Sequence, residues 1–155
     1  MQIHIIAIGE RMPAWVKAGY EEYARRLPRG CRLLLQAIPA GRRTQGADFR
    51  RLIEQEGARQ LAAIPSRARV IALDRTGKQM DTGALALELK KRLAGGDNLA
   101  LLIGGPEGLA PACLQRADEC WALSRLTLAH PVVRVVLAEQ LYRAWSIVNN
   151  LPYHR

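Results

Sequence analysis

No apolar run in these 155 residues approaches the ~20 needed to cross a bilayer as a helix. No membrane-spanning helix is therefore expected. The opening Met1-Gln2-Ile3-His4-Ile5-Ile6-Ala7-Ile8-Gly9 lacks a basic n-region and a long apolar h-region. It reads as a first strand, not a signal peptide. Cysteine is scarce, and Cys31, Cys113 and Cys120 are odd in number without CxxC spacing. That argues against a disulfide framework and a zinc site, and for a reducing cytoplasm; no metal is expected. Nucleotide motifs are missing too. Gly104-Gly105-Pro106-Glu107-Gly108 is followed by no Gly-Lys-Ser/Thr and is not GxGxxG, which disfavours nucleoside triphosphates and NAD. Acidic residues are also few, at 14 Asp and Glu against 23 Lys and Arg, a net charge of +9. A compact domain this basic suits a polyanion, because neutralising phosphates releases counterions. Arginine far outnumbers lysine, as GC-rich coding also produces, so charge alone leaves nucleic-acid binding and mere composition both open.

Hydrophobic residues make up 49% of the chain, enough for a packed core in one domain over 1–155. Strand-like and helix-like patterns alternate. Ile3 to Ile8 predicts a strand, and Pro13 opens a helix to about Leu27 with Trp15, Ala18 or Gly19, Tyr23 and Leu27 inward. Arg32 to Ile38 predicts the second strand. A helix from about Ala47 to Ala63 follows, with Phe49, Leu52, Ile53, Leu61 and Ile64 inward. The continuous apolar run Arg69 to Leu73 predicts a strand buried on both faces. Asp81 or Thr82 caps a helix to about Leu93 with Leu85, Leu89 and Leu93 inward. Leu99 to Ile103 is the fourth strand, Pro111 to Ala117 a brief helix, and Trp121 to Leu126 the fifth strand. Pro131 starts the last helix, whose stripe is Val133, Val136, Leu137, Leu141, Trp145 and Val148. Repeats and low-complexity stretches are absent. The pattern is α/β with a mostly parallel sheet.

Two loops carry the chemistry. Gly104 to Gly108 leaves a buried strand, and its glycines let a ligand approach the main chain while Pro106 stiffens the turn. Ser124 to His130 alternates short polar and apolar side chains, so its amides and carbonyls are free to meet an adenine edge. Such loops at the carboxyl ends of strands are where an α/β fold holds a small cofactor. His130 precedes the last helix, whose dipole disfavours the imidazolium. Arg134, Tyr142 and Arg143 fall away from the main apolar stripe of that helix. The segment 39–46, with Arg42 and Arg43, reads as a surface loop and, given the charge, as a phosphate-contacting one. The ending Pro152-Tyr153-His154-Arg155 is unlike a disordered tail and is read as part of the site.

Several stretches resemble one family. They are Leu101-Leu102-Ile103-Gly104-Gly105-Pro106-Glu107-Gly108-Leu109, the segment Leu126 to Val135, Glu139 to Ile147, the terminal Pro-Tyr-His-Arg, Met12 to Val16 and Ile38 to Arg43. Together they are similar to the small SPOUT-class enzymes of the ribosomal large-subunit methyltransferase H family, over nearly the whole chain. The resemblance implies a SPOUT-type α/β knot, its C-terminal part tied in a deep trefoil, although chains in general avoid knots. It implies S-adenosyl-L-methionine as cofactor, a homodimer, and methylation of N3 of a pseudouridine in 23S rRNA of the assembled ribosome. Carried over by motif, cofactor contacts fall at Leu73, Gly105, Ser124, Arg125, Leu126, Thr127, Leu128 and Ala129. Members often carry proline where this chain has Ala129, which removes one constraint from the loop.

The chemistry of that reaction fits these residues. Methyl transfer to a ring nitrogen needs the donor held in line with the nucleophile. The N3 imide proton must also leave, so a base or a stabilising cation helps. The candidate catalytic residues are His130, Arg143, Tyr153, His154 and Arg155. Tyr153 is placed to stack on the target base, and the choice of proton acceptor stays open among His130, His154, Arg143 and Arg155. Ribose 2′-O-methylation and a non-catalytic ribosome-binding factor are the alternatives.

Overall fold

The computed structural model describes residues 1–154, without the His154 side chain. The expectations placed on that side chain and on Arg155 lie outside the described residues. Five strands run in chain order as β1 (Gln2–Ile8), β2 (Arg32–Ile38), β3 (Arg69–Gln79), β4 (Leu99–Ile103) and β5 (Glu119–Ala122). The helices between and after them are α1 (Ala14–Ala24), α2 (Phe49–Ala62), α3 (Thr82–Gly95), α4 (Pro111–Arg116) and α5 (His130–Val148). All strand pairs are parallel, in the order β2-β1-β4-β3-β5. The expected α/β class is therefore present.

Strand alternation feeds two cores. Ile3, Ile5 and Ala7 of β1, with Leu99, Leu101 and Ile103 of β4, face a layer containing Tyr20 of α1, Leu85 and Leu89 of α3, and Leu137 and Leu141 of α5. Ile6, Ile8, Ala100 and Leu102 face the opposite layer, with Ile53 and Leu61 of α2 and Cys113 of α4. A parallel sheet covered on both faces needs such unbroken apolar strands. Among the described residues no helix is long and apolar enough to cross a membrane.

Several side-chain expectations are corrected. Trp15 is 57% exposed, and α1 buries Val16 and Tyr20 instead, a stripe turned by one residue. The helix ends at Ala24, short of Leu27. Phe49 is 46% exposed, because α2 presents Glu56, Gly57 and Gln60 inward. Gln60 Nε2 donates to the carbonyls of Ile6 at 2.9 Å and Ile103 at 3.0 Å, so an amide clamps α2 onto the sheet. Strand β5 begins at Glu119 and stops at Ala122, freeing 123–129 as a loop. Strand β3 runs past Leu73: Leu73 and Lys78 both oppose Trp121, so residues 74–77 bulge from the ladder.

Candidate cofactor site

Each strand ends on the same side, and the connections there enclose two cavities. The first, about 360 Å³, lies beyond β3, β4 and β5. Leu73, Asp74 and Arg75 form one wall, residues 103–108 the floor, and Leu123 to Leu128 the facing wall, with His130 and Val133 at the start of α5. Its position outside the carboxyl ends of parallel strands is the usual ligand crevice of this architecture. The β3 bulge sets Asp74 at the rim, where the hydroxyl and amide of Thr76 hold its carboxyl below the usual range.

The floor is a tight turn. Gly108 N donates to the Gly105 carbonyl at 3.0 Å, closing residues 105–108. At Gly104 a Cβ atom would stand 2.3 Å from the Gly108 carbonyl carbon, so no side chain is accommodated. At Gly105 a Cβ would meet Arg43 Nη2 and Ile8 Cγ2, both at 3.3 Å. Opposite, Ser124 Oγ accepts from Leu126 N at 2.9 Å and turns the loop. Leu126 is left 74% exposed, a large apolar side chain at the cavity mouth.

Arg43 ties this floor to the segment after β2. It forms ion pairs with Glu56, which is buried, and with Glu107. Arg43 Nη2 lies 3.0 Å from Glu56 Oε2 and 2.8 Å from Glu107 Oε2. The pairing with Glu56, then Glu107, raises the Arg43 pKa, and the same bond lowers that of Glu107. The expectation that Arg43 is a free phosphate contact is therefore corrected: its charge is spent on two carboxylates. Arg42 remains exposed.

His130 sits between the first cavity and a second, about 470 Å³, over the ends of β1 and β2. Burial, then the charges of Arg134 and Arg43, lower its pKa, against a smaller raising effect of Glu107. Arg134 is only 2% exposed, contrary to its expected place off the buried face of α5. Its Nη2 donates to Ile8 O at 2.9 Å and Gly9 O at 2.6 Å.

Of the residues carried over for the cofactor, Leu73, Gly105, Ser124, Leu126, Thr127 and Leu128 line the cavity, whereas Arg125 and Ala129 are not on its wall. Sequence reasoning missed Asp74, Glu107 and Arg134. The first directly follows Leu73, where β3 bulges out of its ladder with β5. The catalytic candidates divide. Arg143 is thirteen residues beyond His130 on α5, about 20 Å at 1.5 Å per residue. There Arg143 Nε donates to Glu139 at 2.8 Å and its guanidinium lies 4.8 Å from the Tyr153 ring centre. Tyr153 donates to Glu139 at 3.0 Å and packs edge-on against Tyr142. Within one chain these groups do not reach His130.

A parallel α/β sheet with glycine-floored and backbone-walled loops at its carboxyl edge, carrying carboxylates beside an imidazole whose pKa is lowered, has the crevice of a small-cofactor enzyme. Residues 1–154 match the family described as "Predicted SPOUT methyltransferase". The chain is 54% identical over 155 residues, all of both chains, to the ribosomal RNA large subunit methyltransferase H of Methylococcus capsulatus. It is 56% identical to that of Thioalkalivibrio sulfidiphilus, over 100% of this chain and 99% of the relative. A Legionella pneumophila methyltransferase solved with the cofactor SAM shares the fold, with TM-score 0.51 and 8% identity over 94% of this chain and 66% of that one. The chain belongs to the SPOUT methyltransferases and, within them, to the ribosomal RNA large subunit methyltransferase H family.

Proposed function

We propose that this methyltransferase uses S-adenosyl-L-methionine to methylate N3 of a pseudouridine in 23S rRNA of the assembled ribosome, in the cytoplasm and as a homodimer. The observation that carries the reading is the cavity over β3, β4 and β5, whose chemistry suits that donor. Leu73, Ile103, Leu123 and Val133 offer an apolar slot, the 104–108 and 124–128 backbones offer amides and carbonyls, and Asp74 is a carboxylate suited to a cation. Gly104 lets the floor turn close tightly on the Gly108 backbone. When bound, the sulfonium supplies an activated methyl group. The deep trefoil knot expected from the family belongs to this proposal as well.

The chain's own groups supply the rest. His130 borders the cavity and is biased to its neutral form, so its free nitrogen is able to accept the N3 proton as the new N–C bond forms. Holding donor and base in fixed geometry accounts for much of the rate. Arg143 and Tyr153 offer a fixed cation and a stacking face, but about 20 Å away along α5. A second copy, packed so that its chain end meets the first cavity, supplies them. His154 and Arg155 share that role.

Ribosomes from a strain lacking this modification, incubated with enzyme and cofactor, are expected to gain one methyl group, mapped by mass spectrometry to N3 of a pseudouridine. Methyl on a ribose 2′-oxygen would establish the alternative transfer. Absence of any melting shift with saturating S-adenosylmethionine, which binds only the native state, would leave a non-catalytic ribosome-binding factor.

A further inference from the structure

We propose that the second cavity holds a backbone phosphate of the RNA strand beside the target nucleotide, with Arg11 and Arg42 as its contacts. The assignment rests on the RNA-methylating reading of the neighbouring cavity. It goes further by giving the strand a seat of its own.

The cleft over the end of β1 is lined by Glu10, Arg11, Met12, Arg42, Pro106 and His130 among others. Pro106 and His130 also line the cofactor cavity, so the two spaces share a wall. An anion in the second is thus one side chain away from the reacting centre.

Its charge is unbalanced. Arg43 is neutralised by Glu56 and Glu107. Arg11 and Arg42 are exposed and form no ion pair among the described residues, against the single carboxylate of Glu10. Arg59 reaches the rim, where its Nη1 donates to the Pro39 carbonyl at 2.8 Å.

A second observation comes from below. Arg134 is buried beneath the cleft, bonded to the carbonyls of Ile8 and Gly9 that line it, and its Nε finds no acceptor among the described residues. A buried cation without a carboxylate is costly, and an anion bound above it lowers that cost. The first turn of α1 also opens beside Met12 with no side-chain cap and no acidic residue, adding the positive end of its dipole. Phosphate contacts of this sort fix register and orientation without reading sequence, which is the need of a small enzyme working on a large RNA surface.

The test uses the intact enzyme and Arg11→Gln, Arg42→Gln and the double variant, with Lys90→Gln on the exposed face of α3 as the charge-matched control. Binding to unmodified ribosomes is measured by sedimentation across a salt series, and S-adenosylmethionine affinity by calorimetry. The expected result is weaker ribosome binding, with a log K against log salt slope shallower by about 0.7 for each arginine removed. Cofactor affinity and the control are expected to match wild type. Wild-type binding and slope in the double variant would overturn the assignment, as would a change in oligomeric state that accounts for the loss. Inorganic phosphate tests the other source of the same chemistry. If millimolar phosphate raises the melting temperature of wild type but not of the double variant, and ribosome binding is unchanged, the cleft is a site for free phosphate. An enzyme that binds ribosomes through these arginines yet transfers no methyl group would sink the methyltransfer reading and leave the cleft standing.

Discussion

At the scale of single residues, the site depends on atoms that have no slack. Gly104→Ala puts a Cβ against the Gly108 carbonyl, so the floor must open. Calorimetry is expected to show loss of S-adenosylmethionine binding in a protein that still folds. Gly105→Val is the milder change, since a Cβ there meets only the side chains of Arg43 and Ile8, both at 3.3 Å. Arg43→Ala removes the partner of buried Glu56. An uncompensated buried charge costs about 3–5 kcal/mol, and denaturant unfolding is expected to show a loss near that size together with weaker cofactor binding. A stability equal to wild type would mean that Glu56 is relieved by water. His130 sets a pH dependence. Its folded pKa lies below the unfolded value of 6.5, so the unfolded chain binds more protons at low pH and stability rises with pH. The contribution is present above 6.5 and is lost as pH falls. Activity that needs the neutral imidazole is expected to persist somewhat below 6.5 before it declines. In His130→Gln that acid limb should vanish along with most of the turnover; an unchanged limb would assign the titration to another group.

Among the elements, α5 does the most, since its first residue closes both cavities and its last turns hold Tyr153. The Tyr153 hydroxyl is bonded to Glu139, and burial followed by that bond pushes its pKa up to about 12. Tyr153→Phe keeps the ring on Tyr142 and removes one hydrogen bond, a loss of about 1 kcal/mol. Removing residues 153–155 is expected to preserve folding while abolishing most turnover on ribosomes. Wild-type turnover after that truncation would reduce the end to a structural clasp. Strands and the order of elements were legible because β4 is an unbroken apolar run, β1 is one from Ile5 onward, and each is ended by glycine. The inward face of α2 was not, because Glu56 and Gln60 are buried by partners distant in sequence, Arg43 and the carbonyls of Ile6 and Ile103. Arg134 misled in the same manner: a charged residue on an apolar helix suggests solvent until two strand-end carbonyls are seen to meet it. The cofactor loops were readable as glycine turns and as a family motif. Their facing Asp74 wall was not, since a bulge between Leu73 and Lys78 leaves no periodic trace.

For the whole molecule, the unmatched surface lies along α1 and α5. Trp15 is 57% exposed, and Val132, Val135 and Val136 are only half-buried on the first turns of α5. An apolar strip of this kind suits a self-complementary contact between two copies. The separation of His130 from Arg143 and Tyr153 gives the same answer from chemistry, because one chain leaves the proposed catalytic set divided. Ultracentrifugation at micromolar concentration is therefore expected to give twice the 17.2 kDa chain mass. Trp15→Glu with Val136→Glu should give a monomer that binds S-adenosylmethionine yet fails on ribosomes. Mixed dimers make the sharper measurement. If each site takes His130 from one copy and Tyr153 from the other, randomly mixed His130→Gln and Tyr153→Ala chains pair as unlike partners in about half of the dimers. Each such dimer carries one site with both residues intact and one with neither. Activity should then recover to about a quarter of wild type from two inactive parents, by the symmetry of a two-fold assembly. No recovery in dimers shown to have exchanged would put both residues to work within their own chain, and α5 would have to bend to bring them together.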